Sequence, residues 1–81
     1  MNSLELEIVF NAIFDAEEDY GAEHVDIVVD YDNEDKEKIF IMYHDKHNSY
    51  AIKTFDFTEY IDIQKVNDLC DYLNLGFDNY L

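Results

Sequence analysis

The chain has no arginine; its five cations are all lysines. Arginine is the side chain best shaped to grip phosphates and base edges, because its planar fork donates paired hydrogen bonds. Direct nucleic-acid binding is therefore not expected. The one cysteine, Cys70, has no partner for an internal disulfide and favours a reducing compartment. Gly21 and Gly76, the two glycines, are too few for a phosphate-cradling loop, and each stands where a helix would end. No apolar run approaches the roughly 18 residues of a membrane span. The N-terminus also lacks the basic-then-apolar layout of a signal peptide. These absences predict a soluble, cytoplasmic chain that does not meet a membrane.

What is present is acid and aromatic. The 81 residues are enough for one domain with a single core. Hydrophobic residues make up 48% of them, with six Phe and seven Tyr, which separates this chain from a disordered acidic tail. Twenty Asp and Glu leave a net charge of −15. Solubility asks for a magnitude of only roughly 2–8, and self-repulsion at high charge opposes the compact state. The excess predicts a partner with a strongly basic surface. The acids are densest from Asp15 to Glu37, DAEEDYGAEHVDIVVDYDNEDKE, against the single Lys36.

Asn2 and Glu5 have capping-box spacing, so a helix is predicted to start near Leu4. Leu6, Val9, Phe10, Ile13, Ala16 and Tyr20 give it a buried stripe at three-four spacing, and Gly21 is its left-handed cap. Acids at its C-terminal end oppose the helix dipole, a placement that stability alone would not select. From Glu23 the period becomes two. Val25, Ile27, Val29 and Tyr31 alternate with Asp26, Val28, Asp30 and Asp32, which predicts a half-buried strand. Asn33–Asp35 is a turn. A second strand runs from Glu37 to Tyr43, with Ile39, Ile41 and Tyr43 inward and Lys38, Phe40 and Met42 outward. After the turn His44–Asn48, a third strand covers Ser49–Phe55, with Tyr50, Ile52 and Thr54 on one face. Asp56 and Glu59, with Thr58 as a rival cap, predict a second helix from near Glu59. Ile63, Val66, Leu69, Cys70 and Leu73 are its stripe, Gly76 and Phe77 its ending, and the last four residues a loosely held tail. The expected fold is α+β: a three-stranded antiparallel meander with an N-terminal and a C-terminal helix on one face, in the order α-β-β-β-α, as one domain over residues 1–81.

Sites of chemistry are scarce. Asp30, Asp32 and Glu34 fall on the first three ligand positions of a calcium loop, but Asp35 stands where glycine is needed and Ile41 where a bidentate Glu is needed. His44 and His47 lie in one turn and cannot complete a zinc site by themselves. Cys70 sits in an apolar stripe, where it packs as a small hydrophobe. The many carboxylates lie on wet faces, not in the apolar pocket that a raised pKa requires. Neither an enzyme nor a metal or other cofactor is expected. Outward Phe40, Met42 and Phe55, beside Asp26, Val28, Asp30 and Lys53, predict an apolar patch rimmed by carboxylates. That patch suits a protein partner or a homodimer through the open sheet face.

The acid spacing suggests one further use. Alternate strand residues lie roughly 6.5–7 Å apart, and helix residues three or four apart roughly 5–6 Å. Asp30 with Asp32 has the first spacing; Asp15 with Glu18 and Asp19, or Asp68 with Asp71, has the second. Both are close to the separation of neighbouring phosphates on a polynucleotide, so a rigid display of carboxylates offers a phosphate-binding groove the field it is built for. The candidate binding residues are Asp15, Glu18, Asp19, Glu23, Asp26, Asp30, Asp32, Glu34 and Asp35, with Tyr20, Tyr31 and Phe40 as aromatic anchors.

With no arginine, many Asp, Glu and Tyr, α-βββ-α order and acids massed on the first helix and first hairpin, the chain resembles the small phage-encoded anti-CRISPR proteins that act as DNA mimics. The resemblance implies a stoichiometric inhibitor in a bacterial host, made during phage infection or from a prophage. Its basic partner would be a nuclease, with a CRISPR-Cas effector favoured. Immunity proteins and antitoxins that plug nuclease sites share the composition, and a non-mimic adaptor using the exposed sheet face is the alternative of another kind.

Overall fold

The computed structural model describes residues 3–56 and 61–81. Helix α1 runs from Ser3 to Tyr20. Val9, Ile13 and Ala16 are buried along one stripe, with Leu6 packed beside them. Gly21 breaks the helix with φ +91° and ψ 134°, and its N–H bonds the Glu17 carbonyl at 2.9 Å. The positive φ is the one expected of a glycine cap, although this ψ lies outside the left-handed helical well. One turn of 3-10 helix, Ala22–His24, leads into β1, Val25–Tyr31. Val25, Ile27 and Val29 are fully buried while Asp26, Val28 and Asp30 are half-buried, as the two-residue period requires.

Strand β2, Glu37–His44, pairs antiparallel with β1 in a register that sets Ile27 against Ile41 and Val29 against Ile39. Strand β3, Ser49–Asp56, pairs antiparallel with β2. Ile41 faces Lys53, yet Met42 faces Ala51, so Ile52 is an extra residue in a β-bulge. The bulge resets the alternation. Phe55, opposite Ile39, turns inward and is 8% exposed, while Thr54 stands opposite Phe40 on the outer face. The sequence reading had Phe55 outward beside Phe40 and Met42, and Thr54 in phase with Tyr50. A one-residue insertion transposes the two faces beyond it, and nothing in the local pattern marks where it falls.

Helix α2 spans Ile63–Leu73, and the Asp62 side chain caps it by accepting the Lys65 N–H at 3.2 Å. A start near Glu59 was expected; Asp56 ends β3, and Thr58 and Glu59 lie outside the described residues. Val66 and Cys70 are the buried positions of α2. The helices meet through Phe10 and Tyr72, whose ring centroids are 6.4 Å apart. Asn74, in the left-handed conformation at φ 56°, ends α2, and Leu75 N–H bonds the Cys70 carbonyl at 2.9 Å. Gly76 is therefore not the helix cap. It opens a fourth strand, β4 (Gly76–Asn79), where a helix ending at Gly76 and Phe77 and a loose tail from Asp78 were expected.

β4 pairs in parallel with β1, from Asp26 opposite Gly76 to Val29 opposite Asn79. The sheet is mixed and four-stranded, in the order β3-β2-β1-β4. The α+β class and both helices are as expected; the fourth strand is the correction. Its parallel pairing with a strand distant in sequence is reached through α2 and has no hairpin signature to give it away. The buried residues of α1, β1, β2, β3 and α2 form one cluster, with Phe77 of β4 packed against it. Among the described residues, no helix is long and apolar enough to cross a membrane.

Gly76 is required for closeness and not for its dihedrals. A Cβ at this position would collide with the Asp26 carboxylate on the neighbouring strand. Asp26 is held on its other side by His44 Nε2 at 2.8 Å. Gly76→Ala is expected to destabilise the fold by about 1–3 kcal/mol, read from the urea midpoint. Adding Asp26→Ala should return part of that loss, because the second change removes the atoms in the way.

Candidate partner-binding surface

The C-terminal half of α1 carries three nominated acids at helical spacing, Asp15, Glu18 and Asp19, and no basic residue in its last turn. All three are exposed, and none has a counter-ion among the described residues. Glu18 and Asp19 stand in the last turn, at the negative end of the helix dipole, which deepens the field there. Glu23 follows in the 3-10 turn, 3.6 Å from His24 Nε2. This end of the molecule holds four of the nine nominated carboxylates.

The other five are placed elsewhere, and the carboxylates of four of them, all but Asp35, are already engaged. Asp26 accepts from His44, and Asp30 Oδ1 accepts the Tyr31 N–H at 2.7 Å opposite Lys38. Both lie on the sheet face away from the helices. Asp32 builds the β1–β2 turn. Its Oδ1 accepts the Glu34 and Lys36 N–H groups at 2.8 and 2.9 Å, and its Oδ2 meets Lys38 Nζ at 3.0 Å. The Lys36 N–H, chiefly, holds the Asp32 carboxyl below its ordinary range, and the Asp32 bond in turn raises Lys38. A lowered carboxylate stabilises the turn above its ordinary titration range, and that contribution fades as pH falls through the lowered value. Glu34 pairs with Lys36 at 3.2 Å, and Asp35 takes the left-handed turn position at φ 59°. Seven strand residues at roughly 3.3 Å each put this hairpin some 20 Å from the start of β1. The nine acids thus occupy a helix end, an open sheet face and a hairpin tip, and do not form one array.

The aromatic candidates divide the same way. Tyr20 belongs to the helix end, where its ring lies 5.4 Å from Tyr43, which stacks on Tyr50 at 4.9 Å. Tyr31 is exposed near the hairpin. Phe40 is half-buried between Val28 and Thr54 on the open sheet face. The sequence reading did not nominate Tyr50, which is 47% exposed beside Tyr20 and Tyr43. The pairing of Tyr43 with Tyr50 across the His44–Asn48 turn was the signal that could have found it.

That turn is fixed by Asp45. Its Oδ1 accepts the His47 and Asn48 N–H groups at 2.8 and 2.7 Å, and its Oδ2 accepts the Tyr43 hydroxyl at 2.6 Å. The Tyr43 bond is the largest cause of an Asp45 pKa lowered to about 2, and the same bond raises Tyr43 to about 12. Both shifts stabilise the fold between the two ordinary values. The Asp45 share is lost as pH falls towards 2, and the Tyr43 share as pH rises towards 12. In a carboxyl-carbon NMR titration Tyr43→Phe is expected to move the Asp45 midpoint upward, and an unmoved midpoint would remove the hydroxyl from that account.

Among the described residues, no group of three or more His, Cys, Asp or Glu is placed to hold a metal ion. His44 donates to Asp26 while its carbonyl accepts the His24 Nδ1–H at 2.9 Å, and the His47 N–H is used in the turn. Burial pushes the Cys70 thiol up to about 12, so at neutral pH it is a packed apolar group with no thiolate to offer. Compared with family models, with curated proteins and with solved structures, the chain matches none.

Proposed function

We propose that this protein is an acidic, stoichiometric inhibitor that enters a basic nucleic-acid-binding cleft in place of the nucleic acid. The observation that carries this reading is the set Asp15, Glu18 and Asp19: exposed, helically spaced and without counter-ions among the described residues, an arrangement that Asp68 and Asp71 repeat on α2. Acids retained for the fold are expected to be bonded, as Asp26, Asp32 and Asp45 are. Acids left unneutralised at the negative end of a helix raise the energy of the folded chain, and a cationic partner recovers that energy on binding.

The target class comes from the resemblance to anti-CRISPR proteins, so the effector nuclease of a CRISPR system is the first partner to test. Guide-loaded effector should lose target-DNA cleavage as the protein approaches one equivalent. Inhibition should weaken between about 50 and 200 mM salt, as charge-driven binding does, and excess DNA should compete it away. Binding that ignores salt, or that tolerates bound DNA, rules out mimicry. A nuclease toxin inhibited with the same salt dependence would move the target to the immunity and antitoxin class.

One observation supports a second reading. No described element covers the sheet face that bears Val28, Phe40 and Met42. Phe40→Ser abolishing partner capture, with the α1 acids dispensable, would identify an adaptor that docks through this face.

A further inference from the structure

A notch of about 250 Å³ opens between α1 and the edge of the sheet at β3. Ala12 and Ala16 line it from the helix and Ile52, the bulge residue, from the strand, so part of its surface is apolar. It exists because two alanines one turn apart leave room that larger side chains would fill. Asp15 and Asp19, also one turn apart, place two carboxylates on it, and Tyr20 and Lys53 complete the lining. Lys53 does not neutralise them. Its ammonium lies over the Phe55 ring, 5.3 Å from the centroid, and it makes no ion pair with Asp15 or Asp19 among the described residues. The lining keeps a net negative charge, with Cβ atoms of the two acids roughly 5–6 Å apart.

We infer that this notch receives an arginine side chain of the protein partner, its guanidinium set between Asp15 and Asp19 with its stem on Ala12, Ala16 and Ile52. The inference rests on the reading of a basic partner and specifies where that partner is gripped. The volume is below the roughly 300 Å³ at which small-molecule pockets begin, which suits one long side chain and not a cofactor. A carboxylate pair beside an apolar wall and a tyrosine ring asks for a cation that forks, stacks and sheds water easily. Arginine meets all three demands, whereas the ammonium of lysine is a strongly hydrated point charge.

The test uses the whole isotope-labelled protein and a short capped peptide with a single arginine, followed by two-dimensional NMR. Saturable shifts confined to Ala12, Ala16, Tyr20, Ile52 and Lys53 are expected, several times weaker with lysine in place of arginine. Ala12→Leu, which fills the notch and leaves the net charge alone, should abolish saturation while the rest of the spectrum stays folded. Asp19→Asn should weaken the peptide about fivefold, the upper range for an exposed ion pair. Glu18→Gln, the same loss of charge on the same helix but outside the notch, should change it little. Equal effects of Glu18→Gln and Asp19→Asn, undiminished binding by the Ala12→Leu protein, or equally tight binding of spermidine would each reduce the site to diffuse attraction and overturn the inference. Salt-sensitive, DNA-competed inhibition by the Ala12→Leu protein at wild-type strength would overturn the notch and leave the mimic reading standing. A seated arginine peptide with no nuclease inhibited would do the reverse.

Discussion

Phe55→Ala is expected to destabilise the protein by about 3–5 kcal/mol, the usual loss when a buried phenylalanine is emptied. Folded domains have roughly 0.05–0.15 kcal/mol of stability per residue, so a chain of 81 residues would surrender a quarter or more of what holds it together. Phe55 is 8% exposed, sits opposite Ile39 and belongs to the single core cluster. Phe40, two positions from the bulge on the uncovered sheet face, is only half-buried. Its removal should cost far less, because no described helix closes over it and water already reaches the ring. Urea unfolding followed by circular dichroism separates the two. A Phe40→Ala cost equal to that of Phe55→Ala would mean that β3 keeps an unbroken two-residue alternation, and the bulge at Ile52 would have to be abandoned.

The combined change Asp15→Asn, Glu18→Gln and Asp19→Asn is expected to act in opposite directions on binding and on folding. Roughly 1 kcal/mol for each of three charge pairs with a basic cleft sums to about 3 kcal/mol, or about a hundredfold in Kd. The salt dependence should flatten with it. Folding should gain, since Glu18 and Asp19 leave the unfavourable last turn of the α1 dipole, where each costs roughly 0.3–1 kcal/mol, and the loss of Asp15 relieves like-charge repulsion beside them. A higher melting temperature together with a weaker complex is a result that misfolding cannot imitate. Asp30→Asn with Asp32→Asn should behave the other way, weakening the β1–β2 turn through a weaker Lys36 bond and the lost Lys38 ion pair while leaving the partner in place. If both sets impair binding alike, the acids act through net charge and not through position.

These two outcomes follow from what kind of pattern each feature leaves in the chain. Helix α1 and strands β1 and β2 are legible because each buries one face against one core, and burial repeats with the period of its own backbone. Cys70 was readable as a packed residue for the same reason. The bulge was not readable: Ser49–Asp56 alternates well enough in either phase, and only pairing with β2 selects Phe55 over Thr54. Strand β4 was not readable either. It has one core-directed residue, Phe77, and its place beside β1 follows from how α2 returns the chain, not from its own residues.

The acids divide along the same line. The sequence alone determines their number, the missing arginine and the net negative charge that would favour the proposed basic partner, since formal charge is a property of composition and survives any arrangement of the chain. Which acids are at liberty to meet that partner is a tertiary matter. Asp26, Asp32 and Asp45 are bonded because folding brings His44, the turn amides and Tyr43 to them. Asp15 and Asp19 stand open because the strand beside their helix sends Lys53 to Phe55 instead. Proximity between groups far apart along the backbone has no local cause, so no local pattern can report it, and here it separates the charges that hold the protein from those it presents.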